Sequence, residues 1–230
     1  MKKYIIIVAG GKGLRMGAEI PKQFLILNDK PVLMHTIDAF YNYDPSIKII
    51  LVLPEEQQDY WTELCEKFDF KINHQTVSGG ETRFHSVRNG LSIAPEKDVI
   101  IGIHDGVRPL VSKDVISRCF DKAAEKGVAF PVVPVVETLR KKTGTGSIIV
   151  NRADYCLVQT PQVFNSEIIK KAYQQDFSDK FTDDVSVVES LNEYPIYEVE
   201  GASENIKITT PIDLIRINRS CDKWYHQESN

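Results

Sequence analysis

Glycines next to isolated cations mark where this chain could hold a polyanion. The stretch "VAGGKGLRMGAEIPKQF", Val8–Phe24, follows the apolar run Tyr4–Val8. It places three glycines within four residues and then presents Arg15 and Lys22. Glycine backbone lets N–H groups approach phosphate oxygens, and nearby cations neutralise them. Pro21 restricts the backbone that carries Lys22. Two familiar phosphate loops fail on spacing. Lys12 is not followed by the Ser or Thr of a Walker loop, and from Gly11 the sixth position of a dinucleotide fingerprint is Met16. The competing reading is a tight strand-to-helix turn with surface cations.

Other stretches repeat the theme. In "VSGGETRFHSV", Val77–Val87, Gly79 and Gly80 let backbone approach a flat base, Glu81 opens the next helix, and Ser86 could bond a base edge. The rival reading is a helix start with an acid favoured by the dipole. In "IHDGVRP", Asp105 follows an apolar strand, where a metal ligand or polar anchor would sit, and Arg108 suits a second anion. A surface Asp–Arg pair is the alternative. In "ENIKIT", Lys207 falls mid-strand between Ile206 and Ile208, which suits a phosphate, or else an edge-strand lysine that discourages aggregation. Thr182 and Asp183 precede a helix and read as capping residues. No Ser–His–Asp triad or activated Cys stands out. The implied chemistry needs no protein nucleophile: a phosphate attacks a nucleoside triphosphate while cations spread the charge.

These residues must be positioned by alternating elements. Strands are expected at Tyr4–Ala9, Lys48–Leu53, Lys71–Val77, Asp98–Ile103 and Val128–Val133. Helices are expected at Pro31–Tyr41, Glu55–Phe68, Glu81–Ala94 and Ser112–Lys126. That rhythm predicts an α/β fold, a mostly parallel sheet with helices on both faces. After Pro134 it breaks. Val136–Lys141 and Ser147–Asn151 flank the glycine-rich "KTGTGS" and predict a protruding hairpin, within an arm over 136–158. A hairpin with little core is marginal in water, so it should pack on a second subunit or fold back on its own sheet. Helices are expected again at Ser166–Gln175, Asp183–Leu191 and Pro211–Gln227, with a strand near Ile196–Val199. Nothing reads as a linker, so residues 1–230 are expected to form one domain.

The chain has 230 residues, 42% hydrophobic and 26% charged, with a net charge of −4. That charge disfavours a broad nucleic-acid or acidic-membrane surface, so an anion must be held by local cations. No apolar run nears the roughly 20 residues that span a bilayer. The N-terminal run ends in a glycine loop without a cleavage signal, which reads as a buried strand of a cytoplasmic protein. Cys65, Cys119, Cys156 and Cys221 lie far apart and read as reduced core thiols. The histidines lack metal-ligand spacing, and His35 and His85 read as packing or surface residues.

Taken in order, "AGGKGLRMG…PKQF", "GGETRFHSV", "HDGVRP", "VQTPQVF", "TDD" and "ENIKIT" resemble the 2-C-methyl-D-erythritol 4-phosphate cytidylyltransferase family of the non-mevalonate isoprenoid pathway, from about Ile5 to Leu214. The resemblance implies a Rossmann-like sheet whose β-hairpin arm joins a homodimer. It implies transfer of CMP from CTP to methylerythritol phosphate with Mg2+, releasing pyrophosphate. It also implies roles for particular residues. Ala9, Gly10 and Gly11 would line the cytidine pocket, and Gly80, Glu81 and Ser86 would contact base and ribose. Arg15, Lys22 and Lys207 would be the catalytic cations on the triphosphate, with Lys22 on the five-coordinate α-phosphorus. Asp105, also the metal ligand, and Arg108 would position the methylerythritol and the metal-bound phosphates. Thr138, Arg152 and Thr182 would receive the sugar phosphate, Arg152 from the partner subunit. The chain departs from the family's usual residues at Gly10, where Ala is common, at Glu81, where Asp is common, and at Asp184, where Glu is frequent. The sister activity on ribitol 5-phosphate shares several of these motifs, although "NRADYCLVQTPQVF" is closer to the isoprenoid enzymes. A nucleotide-binding regulator without turnover would need no cation such as Lys22.

Overall fold

A computed structural model of the chain describes residues 1–10 and 20–217. Its strands are β1 (Lys2–Val8), β2 (Ile26–Leu27), β3 (Lys30–Pro31), β4 (Lys48–Leu53), β5 (Gln75–Ser78), β6 (Val99–Asp105), β7 (Val128–Pro134), β8 (Arg140–Thr143), β9 (Gly146–Ile149), β10 (Cys156–Val158), β11 (Gln162–Asn165) and β12 (Glu198–Glu200). The helices are α1 (Val32–Tyr43), α2 (Gln58–Lys67), α3 (Arg83–Ile93), α4 (Lys113–Lys126), α5 (Ser166–Ala172) and α6 (Asp184–Glu189). Residues 211–217 are also helical, and the rest of the helix expected at Pro211–Gln227, with Cys221, lies outside the described residues.

The main sheet runs β10-β7-β11-β6-β1-β4-β5, with β12 paired to β7. Strands β6, β1, β4 and β5 are parallel. Ile5, Ile6 and Ile7 are each fully buried because both faces of β1 are covered, as in other parallel sheets. Ile5 and Ile7 pack with Leu33, Ile37 and Phe40 of α1 and Phe120 of α4. Ile6 points the other way, toward Val87 and Leu91 of α3 and Val188 of α6. Each such isoleucine contributes about 1.5–3 kcal/mol of burial.

The sheet differs from the expected rhythm at β11, which runs antiparallel between β6 and β7. Its sequence, "QVFN", is too short to carry a period of its own. Helix α3 starts two residues later than expected because the Thr82 side chain, accepting from His85 N, caps it. Lys207 does not lie in a strand: residues 201–209 have no sheet pairing. The Ile-Lys-Ile alternation there comes from Ile208 entering a small cluster with Leu27, Val32 and Val107.

The hairpin β8–β9 forms at the expected place but pairs only Arg140–Thr143 with Gly146–Ile149. Its surroundings expose Val136 (71%), Ile149 (69%) and Leu157 (53%). Cys119 is buried, and burial pushes its thiol up to about 12. Cys156 is exposed instead of in the core, because β10 has no helix over it.

Candidate active site

Between β1 and β6 the chain order reverses. From β1 the chain steps to β4 and β5 on one side, then returns to β6 on the other. Loops diverge at such a switch point and leave a crevice at the carboxyl ends of the strands. Here the crevice is a cleft of about 230 Å3 with Ala9, Gly10, Lys22, Gly80, Asp105 and Lys207 in its walls.

Asp105 forms the floor. It ends β6 opposite Val8 of β1. Its carboxylate accepts from Arg108 Nε at 3.0 Å and pairs with Lys207 Nζ at 3.0 Å. Burial alone would raise its pKa, but Lys207, Arg83 and Arg108 outweigh that and hold it well below the usual carboxylate range. The Asp105–Arg108 pair is not a surface pair, since both side chains are about nine-tenths buried. Arg108 also donates to the Asn205 carbonyl at 2.7 Å, so it supports Asp105 from behind and is not among the residues lining the cleft.

Lys22 is fixed by its neighbours. Pro21 leads into a 3-10 turn over Lys22–Phe24. Gln23 is fully buried, and its Nε2 donates to the Ala9 carbonyl at 2.8 Å. Phe24 stacks on Trp61. Lys22 Nζ donates to the Ile208 carbonyl at 3.1 Å, one residue beyond Lys207. The two lysines therefore meet at one cleft from distant parts of the chain.

The opposite rim is the Gly79–Gly80 turn after β5. Gly80 N donates to Ser86 Oγ at 3.0 Å, and Ser86 Oγ donates to the Thr82 carbonyl at 3.0 Å. A Cβ on Gly80 would stand 2.4 Å from His85 Cβ, so only glycine lets the loop close on α3. Ser86 lines the cleft, and in this state its hydroxyl holds the loop. Glu81 lies on the same rim. Gly11 and Arg15 lie outside the described residues. Thr138, Arg152 and Thr182 are exposed and are not among the cleft's lining residues. Arg152 donates to the Val136 carbonyl at the base of the arm.

Gln23 and Arg83 are among the lining residues missed from sequence. The only signal for Gln23 was a polar residue between Lys22 and Phe24. Nothing local in the sequence marks Arg83. It forks onto fully buried Asp184 at 2.8 and 2.6 Å, and Tyr173 donates to the same carboxylate at 2.6 Å. Burial would lower the pKa of Arg83, but Asp184 raises it further and keeps it charged. This pair ties the Gly80 rim to the start of α6, just past Thr182. Asp184→Asn is expected to lower stability by about 3 kcal/mol, because it leaves a part-buried guanidinium unpaired. Urea unfolding measures this, and an unchanged midpoint would contradict the assignment.

Glycine backbone on one rim, lysines on the other and an ionised carboxylate below are suited to a nucleotide's phosphates, and they place the chain among nucleotide-binding α/β enzymes. Comparison with known proteins makes this specific. The 2-C-methyl-D-erythritol 4-phosphate cytidylyltransferase (IspD) family model matches residues 4–220. Proteins of that name from Bacteroides fragilis and Bacteroides thetaiotaomicron are 58% and 56% identical to this chain, each covering 93% of it and 97% of the relative. A solved 4-diphosphocytidyl-2C-methyl-D-erythritol synthase from Anaerococcus prevotii aligns with a TM-score of 0.81 at 26% identity, over 96% of this chain and 98% of that one. The 2-C-methyl-D-erythritol 4-phosphate cytidylyltransferase from Thermus thermophilus aligns at 0.77 and 28% identity, with the same coverage. The chain belongs to the 2-C-methyl-D-erythritol 4-phosphate cytidylyltransferase family.

Proposed function

We propose that this chain transfers the cytidylyl group of CTP to 2-C-methyl-D-erythritol 4-phosphate, with Lys22 and Lys207 as the cations that act on the transferring phosphorus. A phosphate oxygen of the acceptor attacks the α-phosphorus, the bond to the bridging β-phosphate oxygen breaks, and pyrophosphate leaves. The observation that carries this reading is the convergence of Lys22 and Lys207 on one cleft, with Lys207 paired to Asp105 at 3.0 Å. Charge grows on the equatorial oxygens and the leaving group as the reaction proceeds, so fixed cations stabilise the transition state more than the ground state. Gly10 and Gly80 offer backbone to the base and ribose. Gly11 and Arg15, which lie outside the described residues, complete the nucleotide side, while Glu81 and Ser86 hold the ribose rim.

Mg2+ fits this donor set. Among the described residues no group of three or more His, Cys, Asp or Glu could cage a metal alone. Mg2+ binds through one or two carboxylates plus substrate phosphates, and Asp105 is an ionised carboxylate at the cleft floor. Bound there, the metal would neutralise phosphate charge.

The acceptor's phosphate falls to Thr138 and Thr182 and, from a second subunit, to Arg152, with Arg108 acting through Asp105. The exposed apolar side chains around the arm, Val136, Ile149 and Leu157 among them, support a homodimer joined through residues 136–158. The whole chain then acts as one nucleotidyltransferase domain with a projecting arm. No helix among the described residues is long and apolar enough to cross a membrane, in keeping with a cytoplasmic enzyme.

The assay is pyrophosphate release from CTP with 2-C-methyl-D-erythritol 4-phosphate and ribitol 5-phosphate offered in parallel. Release with the first and little with the second is expected. The reverse preference would overturn the proposal in favour of the sister activity.

A further inference from the structure

Lys207 lies outside the sheet, so something other than strand pairing must hold its ammonium over Asp105. Its segment, 201–209, is anchored on both sides of it. On the far side, Ile208 N donates to the Val107 carbonyl at 2.9 Å, and Ile208 is fully buried. On the near side the anchor is Asn205, which is also fully buried and is not among the residues lining the cleft.

Two hydrogen-bonded routes run from Asn205 to Asp105, the partner of Lys207. In the first, Asn205 Nδ2 donates to the Thr160 carbonyl at 2.8 Å, and Thr160 Oγ1 accepts from Asp105 N at 3.2 Å. In the second, the Asn205 carbonyl accepts from Arg108 Nη1 at 2.7 Å, and Arg108 Nε donates to the Asp105 carboxylate at 3.0 Å. Both acceptors near the Asn205 amide, the Thr160 carbonyl and Gln159 Oε1, demand its NH2 group, which fixes the orientation of the side chain. Gln159 secures the start of the segment by donating to the Ala202 carbonyl at 2.8 Å. Gly201 accommodates this closure, since a Cβ there would stand 2.6 Å from Gln159 Oε1. His104 completes the network through Thr160 Oγ1 at 2.9 Å; burial lowers its pKa to about 3, so it serves as a neutral partner.

The geometry points to Asn205 as a positioning residue that sets Lys207 against Asp105 and the phosphate site. Asn205 touches no reacting atom and acts through Lys207. The inference rests on the proposed cytidylyl transfer, in which Lys207 is a phosphate cation.

A double-mutant cycle tests it, with kcat and the KM for CTP measured for Asn205→Ala, Lys207→Ala and the pair. Asn205→Ala alone is expected to lower kcat about tenfold, and to lower it less than about twofold once Lys207 is absent, the signature of residues acting as a unit. Equal losses in both backgrounds, or an unaffected Asn205→Ala enzyme, would overturn the positioning role and leave cytidylyl transfer standing. Parent-like turnover by Lys207→Ala would remove the phosphate role of Lys207 and this inference with it. Should Asn205→Ala fail to fold, Asn205→Ser, which keeps a short hydroxyl donor, is run through the same cycle with the same outcomes.

Discussion

Lys22→Ala is expected to lower kcat by about two to three orders of magnitude while CTP affinity changes far less. The reason is mechanical as well as electrostatic. Buried Gln23 and Phe24 clamp the turn that carries Lys22, and its Nζ is already directed to the Ile208 carbonyl beside Lys207. A cation held so firmly needs little rearrangement when charge builds on the five-coordinate phosphorus. Its removal therefore weakens the transition state more than the ground state. Steady-state kinetics with CTP varied at saturating acceptor separates the two effects. A parent-like kcat with a raised KM for CTP would make Lys22 a simple binding residue and contradict its assigned role.

Asp105→Asn is expected to be the most damaging single change to the cleft floor. The carboxylate balances Arg108 and Lys207 within hydrogen-bonding distance, and the amide would leave both cations without a counter-charge. A loss of about 3 kcal/mol of stability follows, the low end for breaking a buried ion pair, because the side chain of Lys207 is 40% exposed. Activity should fall about a hundredfold or more, as the proposed metal ligand and the anchor of Lys207 go together. The pH dependence has a defined sign. The folded-state pKa of Asp105 lies below that of an unfolded aspartate, so its contribution is complete above about pH 4 and is lost as pH falls further. Chemical unfolding across the acid range should show a shallower decline for Asp105→Asn than for the parent. An identical decline, or equal stability at neutral pH, would contradict the role given to this carboxylate.

The parallel half of the sheet was legible in the sequence because buried strands such as Ile5–Ile7 and Ile49–Leu53 are continuous apolar runs between helices with clear periods. Caps were legible too: Ser112 opens α4, and Asp183 opens α6 with a capping box. Strand β11 was not, because four residues wedged antiparallel between two strands obey tertiary pairing rather than local pattern. Lys207 was singled out as a charge between isoleucines but placed in a strand, whereas it lines the cleft from a segment without sheet pairing. In the structure it pairs with Asp105, and its segment is anchored through hydrogen bonds between Asn205 and the distant residues Thr160 and Arg108, which no local pattern reveals. Arg83 was invisible for a related reason, since its importance lies in Asp184 and Tyr173, distant in sequence and adjacent only after folding.

A crystal structure with CTP and Mg2+ bound probes the shared cleft most directly. The triphosphate should lie between the Nζ atoms of Lys22 and Lys207, with the cytosine against the Gly80 rim. A nucleotide bound elsewhere, or phosphates that touch neither lysine, would contradict the account.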